Sequence, residues 1–86
     1  MYEVRIYTEQ KNVKETDALV AGVTDSFTKY YAQGFYKGVR ELTMIYEFIT
    51  DDGLDKLEDL AERVGMFNGQ EAVMLTVKAA HVIVIN

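Results

Sequence analysis

The 86-residue sequence contains no cysteine, no proline and no tryptophan, and it has a single histidine. Without cysteine there can be no disulfide, thiolate metal site or thiol nucleophile, a composition that suits a reducing compartment. Without proline no turn is set by a locked φ, so glycine, asparagine and aspartate must punctuate the chain. His81 sits between alanine and a terminal apolar run, without the carboxylate neighbours a metal site or catalytic base needs. No metal or other cofactor is expected. The sequence also lacks a G-x-S-x-G elbow, a Walker loop and a dinucleotide-binding glycine fingerprint, which sets aside the common hydrolase and nucleotide-binding chemistries. No apolar run approaches the roughly 20 residues of a membrane span, and no basic-then-apolar leader opens the chain. The expectation is a cytoplasmic protein with no membrane partner.

What is present is apolar and acidic. Hydrophobic residues make up 49% of the chain, enough for a core, and the length suits one domain over residues 1–86. Nine basic against 14 acidic residues give a formal charge of −5, which repels a polyphosphate backbone and makes nucleic acid an unlikely partner. "KGV" at Lys37 to Val39 resembles the start of an RNA-binding strand signature, but the following Arg40, Glu41, Leu42 and Thr43 lack the aromatic alternation that stacks bases.

Periodicity supplies the elements. "YEVRIYT" alternates, with Tyr2, Val4 and Ile6 on one side and Glu3, Arg5 and Tyr7 on the other, the pattern of a strand with one buried face. Asn12 and Glu15 form a capping-box pattern ahead of a helix from Val13, whose stripe is Thr16, Leu19, Val20 and Val23. A strand is expected over Phe27 to Gln33, then a turn through "GFYKG", then a strand "VRELTMIYEFIT" that places Leu42, Met44, Tyr46 and Phe48 on one face. Asp51 or Asp52 should cap a second helix with the stripe Leu54, Leu57, Leu60, Ala61 and Val64, ended by Gly65. "AVMLTVKAAHVIVIN" reads as a long strand broken at Ala79 and Ala80, with a short extra C-terminal strand after the break. The order predicts an α+β, ferredoxin-like split βαββαβ plait with strand order 4-1-3-2, one face under two helices and the other open.

In that fold the "GFYKGVRE" hairpin and the "FNGQE" loop lie at one end of the molecule. They assemble Tyr36, Lys37, Arg40, Glu41, Asn68, Gln70 and Glu71 as a candidate pocket for a small polar or anionic ligand. The simpler reading gives the glycines to turn geometry and the charges to solvent. A second candidate surface, for a basic partner protein, is the acidic run Asp51, Asp52, Asp55, Glu58, Asp59 and Glu62, which lacks the oxygen spacing of a calcium loop.

The spacing G-x-Y-K-G-x-x-E from Gly34 to Glu41, with N-x-Q-E-A-V from Asn68 to Val73, resembles small uncharacterised plait proteins of bacteriophages and bacteria. That resemblance implies a plait fold and an accessory role in a virus or mobile element, without an assigned chemistry. The function expected is therefore a non-enzymatic binding or regulatory accessory protein, phage-encoded and sequestering a host protein or a small anionic or nucleotide ligand. One alternative is a small dimeric enzyme using the open sheet face, with Glu41 or Glu47 as general base near Tyr46 or Tyr7. Another is a structural module in which "HVIVI" extends the sheet of a neighbour. The open face, which mixes charge with isoleucine and methionine, predicts a homo-oligomer, a dimer or higher.

Overall fold

The computed structural model describes residues 1–70 and 72–85. The elements are β1 (Tyr2–Glu9), α1 (Val13–Ala21), β2 (Thr28–Tyr36), β3 (Val39–Thr50), α2 (Leu54–Asn68) and β4 (Met74–Ala79). They form a four-stranded sheet in the order β2-β3-β1-β4 with every pair antiparallel. This is the α+β, ferredoxin-like arrangement that the periodicity predicts.

Alternation on the two central strands decides which face is buried. Val4 and Ile6 of β1 and Met44, Tyr46 and Phe48 of β3 meet Val20 of α1 and Leu57, Leu60 and Val64 of α2. Each of these side chains stabilises the fold by roughly 1.5–3 kcal/mol through burial. Phe27 packs its ring 5.7 Å from that of Tyr46, which closes the core near the start of β2.

The element ends depart from the sequence expectation for tertiary reasons. Asn12 does precede α1, but at φ 46° its side chain makes no cap bond and instead donates to Asn68 Oδ1 at 3.2 Å. Gly53, and neither aspartate, occupies the N-cap of α2; the Asp52 carboxylate reaches Lys56 at 3.4 Å. That helix passes through Gly65 and ends at Asn68. A β-carbon at Gly65 would stand 3.2 Å from Val73 Cγ2, so this glycine serves helix–strand packing. Gly69, at φ 63°, makes the left-handed exit, and the amide of Gln70 donates to the Gly65 carbonyl at 3.0 Å. Strand β2 runs on to Tyr36, beyond the expected Gln33, because the hairpin turn needs only two residues. The C-terminal strand is β4. Residues 80–85 add no further ladder in the single chain, and Ile83, Val84 and Ile85 are exposed.

A half-buried polar contact ties helix to sheet. The Tyr46 hydroxyl donates to Asp17 Oδ1 at 2.6 Å, and Lys29 Nζ bridges both Asp17 oxygens at 3.0 and 3.1 Å. Burial, then the Asp17 hydrogen bond, pushes the Tyr46 hydroxyl well above its usual pKa, so it stays a donor. Replacing Tyr46 with Phe removes that donor while keeping the ring, and should cost about 1 kcal/mol in urea unfolding with an unchanged m-value.

Candidate functional site

The open face is divided into two halves by chemistry. Its lower half is an ion network: Arg5 Nε donates to Glu47 Oε2 at 2.7 Å, Arg5 Nη2 lies 3.2 Å from Glu3 Oε1, and Lys78 Nζ lies 3.5 Å from the same atom. The hydrogen bond it donates to Glu47 holds the Arg5 guanidinium above its already high pKa. Glu47 is thus committed to a cation, which leaves Glu41 as the carboxylate with base character on this face.

The upper half, at the hairpin end, contains a cavity of about 440 Å³. Its walls come from Tyr7 and Thr8 of β1, residues 32–36 of β2, Glu41, Thr43 and Ile45 of β3, and Ala72 and Met74 on the far side. The hairpin closes through Lys37 and Gly38, with φ of 51° and 76°, the paired left-handed geometry of a tight two-residue turn. Gly34 does not belong to that turn. It pairs with Glu41 inside the ladder, where a β-carbon would fall 2.7 Å from Thr43 Oγ1, so the missing side chain leaves room at the pocket floor.

Electrostatics single out Glu41. Burial, then hydrogen bonding and repulsion from Glu9, pushes the Glu41 carboxyl up, whereas the Lys11 hydrogen bond holds Glu9 down. Lys11 Nζ stands 2.9 Å from Glu9 Oε2. Glu41 therefore keeps its proton to higher pH than an ordinary glutamate, in a site walled by the rings of Tyr7 and Tyr36, whereas the Phe35 side chain, paired with Arg40, projects from the opposite face.

The residues expected at this site from the sequence separate into groups. Tyr36 and Glu41 line the cavity. Lys37 holds its ammonium 5.4 Å from the Tyr36 ring centroid at the rim. Arg40 pairs across from Phe35 and alternates onto the face opposite Glu41. Asn68 is buried, with its side chain hydrogen-bonded to Thr8, Thr16 and Asn12. Gln70 lies directly behind the wall, and Glu71 lies outside the described residues. Of the other lining residues, Tyr7 was expected near Glu41 only in the enzyme alternative, whose Tyr46 lies in the core instead, while Thr8, Phe35 and Met74 were not foreseen, although the alternation already placed Met74 on the open face. Around the start of α2, Asp52 pairs with Lys56 and Asp59 with Arg63 at 3.2 Å, while Asp51, Asp55, Glu58 and Glu62 complete the acidic surface. Among the described residues, no group of three or more His, Cys, Asp and Glu side chains is arranged to hold a metal.

No family model matches the sequence, and no curated protein matches it. Solved structures do resemble it. A phage SAM lyase in its apo state superposes with a TM-score of 0.69 at 21% identity, covering 90% of this chain and 78% of that one. The PII-like protein CutA from Nostoc gives 0.67 at 13% identity, with coverages of 93% and 81%. A DUF3240-family protein from Shewanella baltica gives 0.63 at 10% identity over 99% and 96% of the two chains. At these identities the likeness establishes the fold.

The raised pKa of Glu41 carries a signed prediction. Its folded-state value lies above the unfolded one, so it contributes stability at low pH that is lost as pH rises through the folded value. Glu41→Gln should therefore raise the melting temperature near pH 7, and the gain should vanish below the ordinary carboxylate range. Thermal melts across pH 3–8 check this.

Proposed function

We propose that this chain is a small-ligand-binding accessory protein that works as a homo-oligomer, with its site in the hairpin end of the open sheet face. The observation that carries the reading is one cavity combining the side chains of Tyr7 and Tyr36 with a carboxylate, the chemistry that receives a compact aromatic ligand bearing a positive charge. S-adenosylmethionine joins an adenine ring to a sulfonium cation, and the fold likeness to a phage SAM lyase makes it the first ligand to test. The same likeness supports a phage-related accessory role. The partial internal pairing of the acidic helix favours the pocket over a decoy surface for a basic host protein.

Self-association is supported by apolar groups the single chain leaves in water. Phe35 is 73% exposed, Ile85 is 89% exposed, and Val39, Leu42 and Met74 are also exposed. Burial of such a set needs a second surface, and another copy of the chain supplies it. Light scattering should report an oligomer, and removing residues 81–86 should lower its order while circular dichroism stays native. An unchanged oligomer would exclude the tail from the interface.

Calorimetric titration with S-adenosylmethionine should give saturable binding, weakened at least about tenfold by Tyr36→Ala, a loss of roughly 1.4 kcal/mol. Absence of binding to the wild-type oligomer would sink the assignment. A second reading, catalysis at the same site, is favoured by the raised proton affinity of Glu41, which suits a general base. Mass spectrometry of S-adenosylmethionine incubated with the protein separates the two: a product formed by wild type and lost in Glu41→Gln marks an enzyme, and intact ligand marks a binder.

A further inference from the structure

The Gln70 carboxamide spans the back of the pocket wall. Its Oε1 accepts from the Thr8 hydroxyl and, at 3.2 Å, from the amide of Glu9, while its Nε2 donates to the Ala72 carbonyl at 3.3 Å. Thr8 and Ala72 are both pocket-wall residues, contributed by elements that are not neighbours in sequence. Both ends of the amide are thus engaged by the protein, so Gln70 is not a direct ligand group in this arrangement. The buried Asn68 supports the bridge from behind: its Nδ2 donates to Thr8 Oγ1 at 3.3 Å and to Thr16 Oγ1 at 3.4 Å, while its Oδ1 accepts from the exposed Asn12.

From this geometry we infer that Gln70 is a positioning residue: it ties Ala72 to the end of β1 and thereby fixes the far wall of the ligand pocket. This rests on the ligand-binding reading above. Loops are the most mobile parts of a small domain, and a ligand that closes against a mobile wall must supply the ordering free energy from its own contacts. The clamp meets that cost during folding. It also connects the pocket to a second cleft between α2 and β4, where Gln70 and Ala72 line the wall together with Met66 and Leu75.

The test is a double-mutant cycle with Thr8→Val and Gln70→Ala, read by S-adenosylmethionine affinity and by amide exchange of residues 72–74. Each single variant should keep the wild-type fold and melt within a few degrees of wild type, yet bind at least fivefold more weakly and exchange faster in that segment. The double variant should lose little more than either single one, because both changes break one linkage. Additive losses, or a Gln70→Ala protein that binds and exchanges as wild type does, would overturn the inference. If Gln70→Ala fails to fold, Gln70→Glu keeps the length and an acceptor but removes the donor to Ala72 at neutral pH; wild-type exchange in that variant would equally overturn it. If wild type does not bind S-adenosylmethionine but the exchange effects are coupled, the ligand assignment fails and the clamp stands.

Discussion

Two helices can cover only one face of a four-stranded sheet, and the rest of the molecule follows from that constraint. The helix-side residues of β1 and β3 are spent on the core. Their alternates, Arg5, Tyr7, Thr43, Ile45 and Glu47, must find other company on the open side. Ile45 is nonetheless buried, because the tyrosines and the β2 backbone rise around it to form a cavity. Glu47, one pleat lower on the same face, is drawn into the Arg5 ion network. Equivalent backbone positions thus serve opposite chemistries, and the difference lies in which cations the neighbouring strand supplies.

Much of the fold was legible because it depends on periodicity, which survives in a single sequence. The alternation of Val4 and Ile6 against Glu3, Arg5 and Tyr7, and the spacing of Leu57, Leu60 and Val64, specify faces without any knowledge of partners. Element ends were harder to read, since they are set by contacts between distant segments. Gly65 has the appearance of a helix stop, but its role is to admit Val73. Asn12 and Glu15 match a capping box, yet the Asn12 side chain is taken by Asn68, 56 residues away.

The candidate site was legible in the same uneven way. Tyr36 and Glu41 could be placed by topology, which brings the hairpin and the α2–β4 loop to one end. Arg40 belongs to the same short stretch but alternates to the other face, a consequence of a turn only two residues long. Thr8 gave only half a signal: alternation puts it on the buried side with Val4 and Ile6, but nothing in the sequence names Asn68 and Gln70, at and just beyond the C-terminus of α2, as the partners of its hydroxyl.

The arrangement also links the two halves of the proposed function. Met74 lines the pocket, and Met74 and Val39, which share the open face with Glu41, are among the exposed apolar groups that a second copy would cover. An oligomer that buries them narrows the cavity mouth and lowers the local dielectric around Glu41. Lower dielectric strengthens the attraction between an ionised Glu41 and a cationic ligand, while it raises the cost of ionising Glu41 when no ligand is present. Assembly and ligand binding would then favour each other by thermodynamic reciprocity, with a coupling set by the differential contacts of the two states. In this scheme the open face is left uncovered by the helices because its missing layer is supplied from outside the single chain.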